Sequence, residues 1–417
     1  MRKDIFFPAD ILLPGDGGDN EAWSVIACDQ FSSQREYWER VRRRVGGSPS
    51  TLNMIIPEAY LDDLDEANEI AKISGFMDDY LGRGMFREVQ DSFVYVERTL
   101  SGGGVRKGLV GAVDLEEYEF SGGDAAILAS EGTVLDRLPP RIRIRKAAAL
   151  ELPHIMTFID DVGGTVIEPL AEKAGRLPLL YDFELMEGGG RLKGMRVGGN
   201  DAQDVMAAMR ALHDSNKTLM IMGDGNHSLA AAKAYWDELK QGLDDTERET
   251  HPARRALLEV NNLHDPAIEF EPIHRVVFDV DADVFISAFE KEMPQGAGVD
   301  YNLQLVARGE RQEALRKSAV SASAGCIGDM IDAVQAFLDE FVGKVGARID
   351  YIHDAEAVER LAANEGCVGI ILPGMGKSEF FETVAAIGIF PRKSFSVGHA
   401  RDKRYYMECR RILESGV

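Results

Sequence analysis

The sequence has few cysteines, and none of them lies in a metal-binding or redox pattern. Its 417 residues include four, Cys28, Cys326, Cys367 and Cys409. None forms a Cys-x-x-Cys pair or has a histidine at the spacing of a zinc ligand, which excludes the common zinc motifs. A chain of this length can bury a large core without disulfides. We therefore expect reduced thiols in a reducing compartment.

Long apolar runs and an excess of positive charge are also missing. No segment approaches ~20 consecutive apolar residues, and the first residues lack the apolar stretch of a signal peptide, so the sequence predicts no membrane span. The chain carries 47 Lys and Arg against 70 Asp and Glu, a formal net charge of −23. Such a surface repels nucleic acid phosphates and anionic lipids. We expect a cytoplasmic protein whose partners are small molecules, with no role for nucleic acid or membrane.

What the sequence does contain is an alternation of strand and helix patterns, which predicts a mixed α/β protein. A change in composition near residues 279–283 predicts two parts, 1–280 and 281–417. Glycine-rich turns between apolar runs predict hairpins at 93–113 and 179–197. Short apolar runs predict buried strands at 23–28 and 52–56.

The strongest chemical signal lies at 219–239. An apolar run predicts a strand, and an alanine-rich stretch predicts a helix that begins at Ser228. The loop between them combines glycines with an acid and polar donors: Gly223, Asp224, Gly225, Asn226, His227 and Ser228. Glycines allow a ligand to approach the backbone closely, and a helix N-terminus attracts phosphate or carboxylate. The alternative interpretation is an ordinary helix start with Ser228 as N-cap.

Specific roles follow for the side chains of this loop. We expect the amides of Asn226, His227 and Ser228 to point into a pocket, and the first two side chains to add hydrogen-bond donors. Asp224 would hold a metal ion or orient His227. These roles depend on a cavity beside the loop, which the sequence alone does not reveal.

A cluster of four arginines forms a second candidate site: Arg137, Arg141, Arg143 and Arg145. In an acidic protein such a cluster is a local anion site. The alternation of Arg and Ile at 141–145 predicts a half-buried strand with three guanidinium groups on one face. For Arg143 and Arg145, ion pairs on a solvated strand are at least as good an interpretation. Glu131 and Arg137, in the turn-rich part, are the stronger functional candidates.

Two more short basic motifs lie nearer the C-terminus. One contains His274 and Arg275, and the other contains Lys393 and Ser394. Either could contact phosphate, and either could be an ordinary loop. The segment 374–378 resembles the end of a P-loop, but position 371 is an isoleucine where the motif needs glycine, so no P-loop is predicted. His154 is left without a role, because a lone histidine is more often structural.

Four motifs in this order resemble a bacterial and archaeal family known as domain of unknown function 1015. They lie at 131–138, 224–227, 272–275 and 391–394, and the resemblance covers nearly the whole chain. The family's usual loop reads Asp-Gly-His-His-Arg; here Asn226 replaces the first His and Ser228 replaces the Arg. That loop is similar to the loop of archaeal free serine kinases, and more distantly to the phosphate loops of ParB and sulfiredoxin.

The resemblance implies an α/β (mixed α+β) fold, with a ParB/sulfiredoxin-like core and an additional C-terminal α/β lobe. It implies a nucleotide-dependent phosphotransferase acting on a small hydroxylated metabolite, with free serine as the first candidate. The nucleotide would be ADP or ATP, with Mg²⁺ as the metal and Asp224 as its ligand. The loop would hold a phosphate together with Arg137, His274, Arg275, Lys393 and Ser394. The expected catalytic residues are Asp29 or Glu131 as proton acceptor, and His227.

A second function class stays open. A non-catalytic nucleotide or metabolite sensor would bind ligand without turnover, and the replacements at Asn226 and Ser228 favour it somewhat. A purely structural role explains several basic motifs in an acidic chain poorly.

Overall fold

The computed structural model describes residues 3–133, 138–309 and 315–413. The chain folds into two compact units. The first unit contains Met1–Ala129, Thr133–Ile268 and His399–Val417, and the second contains Ser130–Gly132 and Glu269–Gly398. This division differs from the predicted ranges 1–280 and 281–417, because the C-terminal segment rejoins the first unit.

A large mixed sheet forms the centre of the first unit. Within the described residues it has eleven strands, and its longest path runs β5-β6-β11-β8-β12-β4-β3-β10-β9, with β1 paired to β4 and β2 to β3. The strands are β1 (Phe6–Phe7), β2 (Ala9–Pro14), β3 (Phe86–Thr99), β4 (Val105–Asp114), β5 (Tyr118–Glu119), β6 (Ile127–Leu128), β7 (Leu150–Glu151, outside the sheet), β8 (Met156–Ile159), β9 (Leu179–Leu185), β10 (Gly190–Val197), β11 (Met220–Asp224) and β12 (Arg255–Asn262). Parallel pairs join β6 to β11 and β8 to β12, while β11 and β8 are antiparallel.

Helices cover this sheet on both faces. They are α1 (Asn20–Trp23), α2 (Arg35–Val45), α3 (Glu66–Gly82), α4 (Leu138–Ala147), α5 (Glu168–Lys173), α6 (Asn200–Ser215), α7 (Asn226–Leu239) and α8 (Asp245–Thr250). Side chains alternate between the faces along a strand. In β3, Val94 and Val96 therefore join one hydrophobic core with Trp38, while Phe93 and Tyr95 join a second core with Trp236.

The second unit has its own sheet, in the order β16-β15-β18-β14-β17. Its strands are β13 (Phe270–Pro272), β14 (His274–Phe278), β15 (Val299–Arg308), β16 (Leu315–Ala324), β17 (Arg348–Ile352), β18 (Cys367–Ile371) and β19 (Phe395–Val397), and its helices are α9 (Ala282–Glu292), α10 (Ile327–Val345), α11 (Ala355–Ala362) and α12 (Lys377–Ile387). β13 and β19 form a separate antiparallel pair.

The C-terminal segment is built into the core of the first unit. Its short strand β20 (Arg410–Arg411) pairs with β7, and the side chains of Tyr405, Tyr406 and Met407 are almost completely buried. The Ala27 amide donates to the carbonyl of Arg404 at 2.9 Å, and the Tyr406 amide donates to the carbonyl of Val25 at 2.8 Å. The chain end therefore supplies core side chains and backbone hydrogen bonds to the N-terminal region.

Two predicted hairpins are confirmed, as β3–β4 and β9–β10, but the strands predicted at 23–28 and 52–56 are wrong. Trp23 ends helix α1, and the apolar run after it makes only an isolated bridge between Ile26 and Tyr405. The second run is a 3₁₀ turn, Thr51–Met54, in which the Ser50 hydroxyl accepts the Leu52 amide hydrogen. A short apolar run indicates that a segment is buried, but extended segments and turns can be buried just as strands can.

Among the described residues, no helix combines the length and the apolar character needed to cross a membrane. All four cysteines are free thiols. Burial raises the pKa of the Cys28 thiol to about 12, so this group stays protonated at neutral pH.

Candidate functional site

The loop at 223–228 connects strand β11 to helix α7, as the sequence predicts. Gly225 has a φ of 81°, a left-handed conformation that favours glycine, and directly precedes the helix. Gly223 packs against Phe158, where an added Cβ would lie 2.4 Å from a ring carbon. Both glycines are therefore required by the local geometry. Ser228 is the third residue of α7 and not its N-cap.

One amide of this loop does not have its predicted role. The Ser228 N–H donates to the carbonyl of Gly225 at 3.0 Å, and the Leu229 N–H donates to the same carbonyl at 3.1 Å. The prediction that the Ser228 amide points into a pocket is therefore wrong, because the first turn of the helix already uses it. For Asn226 and His227 the corresponding role stays a prediction.

Asp224 is largely buried and is held by two partners. Its Oδ1 accepts the Gly225 amide hydrogen at 2.9 Å, and its Oδ2 lies 3.3 Å from the Lys403 Nζ. Burial alone would raise the pKa of this carboxyl group, but the charges of Lys403 and His154 and the amide hydrogen bond outweigh it and lower the pKa. Asp224 is therefore a carboxylate at neutral pH, and it is paired with a lysine.

A chain of hydrogen bonds runs from Ser228 into the core. The Ser228 Oγ lies 3.3 Å from the His154 Nε2, and the His154 Nδ1 lies 2.8 Å from the Tyr406 hydroxyl. The Cys28 amide donates to that hydroxyl at 3.2 Å. Burial raises the pKa of Tyr406 well above its usual value, so the phenol keeps its proton.

This chain of polar groups lies at one end of a cavity of about 560 Å³ within the first unit. Ser228, His154, Tyr406 and Cys28 all line it, and most of the remaining lining residues are apolar. Asp29, the predicted proton acceptor, directly follows Cys28 and is half-buried; its Oδ1 accepts a hydrogen bond from the Gln30 side chain at 3.1 Å. The loop, the polar chain and the surroundings of Asp29 therefore belong to one region.

The arginine-rich segment is a helix, α4, and the predicted strand at 141–145 is wrong. On a helix Arg141 and Arg145 are four residues apart and share a face. Both line the cavity, where Arg141 is paired with Glu58 and Arg145 with Glu151. Arg143 is not among the lining residues, and it forms an exposed ion pair with Glu66 at 2.7 Å. The alternative interpretation of ion pairs with nearby acids is thus confirmed for Arg143 and Arg145, although on a helix.

The predicted site residues of the second unit form two groups: one contains Glu131, Lys393 and Ser394, and the other contains His274 and Arg275. Glu131 forms a parallel bridge with Phe390, and the Phe390 amide donates to the carbonyl of Ser130 at 2.7 Å. Ser394 is buried, with its hydroxyl donating to the carbonyl of Pro391 at 2.6 Å. Lys393 is exposed and has a φ of 62°.

His274 and Arg275 lie in β14 and are both buried. The His274 Nδ1 accepts the Leu372 amide hydrogen at 3.1 Å, and burial, helped by the adjacent Arg275, lowers the pKa of His274 to about 4. Burial also lowers the pKa of Arg275 to about 10. His274 is therefore neutral at pH 7 and brings no positive charge to a phosphate. The binding roles of both residues stay predictions.

A match to a known family extends over most of the chain. The profile described as protein of unknown function (DUF1015) matches residues 13–341. The chain belongs to this family. The family inferred from the four sequence motifs is therefore confirmed.

Similarity to solved structures is more distant. The chain is similar to a conserved hypothetical protein from Pyrococcus furiosus, with a TM-score of 0.34 and 11% identity over 72% of this chain and 94% of that one. A free serine kinase in complex with AMP gives a TM-score of 0.37 and 12% identity over 71% and 90%. SbnI with a C-terminal truncation, from Staphylococcus aureus, gives 0.34 and 9% over 69% and 82%. No curated protein matches the chain.

The structure distributes the predicted site residues between the two units. Asp29 and the loop belong to the first unit, while Glu131, His274, Arg275, Lys393 and Ser394 belong to the second. Arg137 lies outside the described residues. The sequence predicts that active-site groups from several segments line one cleft: Asp29, Glu131, Arg137, His227, His274 and Lys393. This stays a prediction.

The sequence analysis missed three residues of this region, Lys403, His154 and Tyr406. Lys403 and Tyr406 lie in the C-terminal segment, and Tyr406 is 252 positions from the histidine it contacts. The Lys-Arg-Tyr-Tyr run at 403–406, which combines basic and aromatic side chains, was the available signal. Nothing local connected it to the glycine loop.

Proposed function

We propose that the protein is a nucleotide-dependent phosphotransferase acting on a small hydroxylated metabolite, for which free serine is the first candidate. The observation that carries the proposal is the continuity of loop and cavity. Ser228 belongs to the first turn of α7 and lines the cavity, and Cys28, the neighbour of Asp29, lines the same cavity. A helix start that attracts phosphate, a cavity and a candidate base are thus close together.

The start of α7 is the proposed phosphate position. The helix has 14 residues, and its N-terminus carries a partial positive charge. A carboxylate at the same place would repel a phosphate, but Lys403 lies 3.3 Å from Asp224 and offsets its charge. We also propose that the first unit contains a ParB/sulfiredoxin-like core and that the second is the additional α/β lobe.

In the proposed reaction the acceptor oxygen attacks the terminal phosphorus of the nucleotide. A new P–O bond forms, the terminal phosphoanhydride bond breaks, and its electron pair leaves with the shortened nucleotide. The acceptor's proton passes to a carboxylate, for which Asp29 is the better placed candidate and Glu131 the alternative. The protein's main contribution is to position the groups and to neutralise charge.

Mg²⁺ fits this site only as part of a nucleotide complex. The described residues contain no group of three or more His, Cys, Asp or Glu that could hold a metal ion. Proteins commonly bind Mg²⁺ through one or two carboxylates together with substrate phosphates. Asp224, kept ionised beside the proposed phosphate position, is the candidate carboxylate. When bound, the ion would neutralise phosphate charge.

The proposal is tested by measuring nucleotide binding and acceptor-dependent turnover separately. ATP and ADP binding is followed by calorimetry with and without Mg²⁺, and nucleotide consumption is followed with L-serine and a panel of hydroxy compounds. Asp29→Asn should abolish turnover with little change in nucleotide affinity, because its work lies in proton transfer. Glu131→Gln is the matched comparison, and His227→Ala should weaken nucleotide binding while leaving the fold intact.

Binding without turnover across the whole panel would favour the sensor. Two observations make that outcome worth testing: Asn226 and Ser228 replace the family's His and Arg, and the Ser228 amide is already used within the helix. If neither nucleotide binds, the phosphotransferase and the nucleotide sensor are both rejected, and only a sensor of another metabolite remains.

A further inference from the structure

We propose that the cavity of the first unit binds the apolar body of an alcohol whose hydroxyl group meets Ser228. This inference rests on the proposed function and narrows its acceptor. Free serine would be replaced by a larger alcohol that carries an alkyl or aryl group.

The walls of the cavity are apolar. Met54, Ile56, Met77, Ile144 and Leu150 are among the side chains that line it. The volume of about 560 Å³ lies in the range of roughly 300–1,000 Å³ that is typical of pockets for drug-sized ligands. Covering these side chains with an apolar ligand removes apolar surface from water, at roughly 25 cal/mol per Å². A small polar metabolite would leave most of this surface wet.

The charged side chains of the cavity are already neutralised. Arg141 is paired with Glu58, and Arg145 lies 2.8 Å from Glu151. Glu66, which also lines the cavity, pairs with Arg143. A free amino acid would bring an ammonium and a carboxylate group, and burying either without an opposite charge is costly. The lining therefore disfavours a zwitterion and accepts a neutral molecule.

Donor counting gives the chemistry of the polar end. The Tyr406 hydroxyl accepts the Cys28 amide hydrogen and also lies 2.8 Å from the His154 Nδ1. The His154 Nε2 in turn lies 3.3 Å from the Ser228 Oγ. A serine hydroxyl has one hydrogen and two lone pairs, so the contact with His154 leaves Ser228 with hydrogen-bonding capacity towards the cavity. Its natural partner is a ligand hydroxyl group, which can both donate and accept.

An alcohol satisfies both properties of the cavity. Its hydroxyl group can form a hydrogen bond with Ser228 at the start of α7, where the phosphate is proposed to lie, while its apolar body fills the space between the walls. Asp29, beside Cys28, is the candidate acceptor for the alcohol's proton. A hydrocarbon of the same shape would fill the space but could not form the hydrogen bond with Ser228, and so should bind more weakly.

Two methionines in the walls allow a direct test without nucleotide. In protein labelled with ¹³C at the methionine methyl groups, we expect 4-phenyl-1-butanol to shift the Met54 and Met77 resonances, which are assigned with Met54→Leu and Met77→Leu. L-Serine should leave both unchanged. Ser228→Ala should weaken the alcohol about tenfold, to the affinity of n-butylbenzene, and should leave the affinity of n-butylbenzene unchanged.

A matched pair of variants locates the binding site. Ile144 and Ile142 are both half-buried on α4, but only Ile144 is among the lining residues of the cavity, while Ile142 packs against Leu138, Ala230 and Ala231. Ile144→Trp should abolish the methionine shifts, and Ile142→Trp should preserve them. Circular dichroism checks that each variant is folded.

The other outcomes separate the failure of the inference from the failure of the proposed function. L-Serine or AMP shifting the same two resonances would make the cavity a site for a zwitterion or for a nucleotide base. No shift with the alcohol would reject an apolar ligand of this class. A protein that binds the alcohol but never consumes nucleotide would lose the proposed function and keep this inference. One that phosphorylates L-serine would keep the function and lose the inference.

Discussion

Two buried arginines, one in each unit, are held in opposite ways. Arg404, in the first unit, is paired with Glu259 and Glu408, and its Nε donates to the carbonyl of Pro153 at 3.1 Å. Burial alone would lower its pKa, but the two carboxylates raise it above the usual value. Arg275, in the second unit, donates through Nη1 to the carbonyl of Ile273 and lies 5.2 Å from the Tyr351 ring.

The rest of the Arg275 guanidinium is not satisfied. Among the described residues, its Nε and Nη2 have no hydrogen-bond partner, and no described carboxylate forms an ion pair with it. Buried charges are usually paired, because removing an ion from water is expensive. The comparison shows that a basic residue in a sequence motif is not yet an available positive charge. Partners and burial decide whether it stabilises the fold or can serve a ligand.

Removing the paired arginine should have the largest effect. Arg404→Met leaves two buried carboxylates without their partner, and we expect a loss of about 3–5 kcal/mol in the free energy of unfolding. Urea denaturation at pH 7 measures it. Arg401→Met, which replaces a nearby exposed arginine, is the control and should stay within about 0.5 kcal/mol. Equal effects in the two variants would mean that the buried network contributes nothing.

His274, the neighbour of Arg275, should make the free energy of unfolding depend on pH. The pKa of His274 is about 4 in the folded protein, against 6.5 for an unperturbed histidine. Between these two pH values the unfolded chain therefore binds more protons than the folded protein does. As the pH falls from 6.5 to 4, this difference lowers the free energy of unfolding by on the order of 3 kcal/mol.

The test compares wild type with His274→Gln, since other groups titrate in both. Urea midpoints are measured at several pH values between 7 and 4. The stability of His274→Gln relative to wild type should rise towards pH 4. The control is His399→Gln, at an exposed position, whose stability should differ from that of wild type by the same amount at every pH. A constant difference between His274→Gln and wild type would mean that the pKa of His274 is the same in the folded and unfolded states.

Breaking the ion pair beside the glycine loop should have an intermediate effect. Lys403→Met leaves the largely buried Asp224 carboxylate with one partner fewer, at a cost of about 2 kcal/mol at pH 7. The folded-state pKa of Asp224 is lowered, so its contribution is present above the unfolded pKa and is lost as the pH falls through the folded pKa. The gap between variant and wild type should therefore narrow in acid.

Lys72→Met is the control for this prediction, since Lys72 is exposed and its ion pair with Glu69 lies at the surface. Such pairs contribute roughly 0–1 kcal/mol. Chemical denaturation at pH 7 and pH 3 compares the two. If the effect of Lys403→Met does not change with pH, Asp224 is not the group that Lys403 stabilises.

The smallest effect is expected at the unpaired arginine. Arg275→Met removes a buried charge that has no carboxylate partner among the described residues and substitutes an apolar side chain. We expect a change within about 1 kcal/mol, or a gain in stability, by the same denaturation assay. A loss as large as that of Arg404→Met would show that Arg275 has a compensating partner, and would end the contrast between the two units.

Local patterns predicted two hairpins correctly. The hairpins β3–β4 and β9–β10 followed from apolar runs that flank glycine turns, because both signals act between residues close in sequence. The strand predicted at 141–145 was wrong because its contacts are with residues distant in sequence. Its alternation of Arg and Ile fits a strand, but Arg141 and Arg145 are also one helical turn apart, and their partners Glu58 and Glu151 lie on other elements. The segment belongs to helix α4, which makes these ion pairs and packs on α7.

In the candidate site, too, some features follow from the local sequence and others only from the tertiary structure. The sequence by itself determined the glycine turn between β11 and α7, since a left-handed residue at 225 and close packing at 223 both call for glycine. Only the tertiary structure decided what surrounds that turn. Lys403, which is paired with Asp224, and Tyr406, which contacts the His154 Nδ1, come from a distant part of the sequence. Such contacts depend on where the folded chain returns, and no local pattern encodes that.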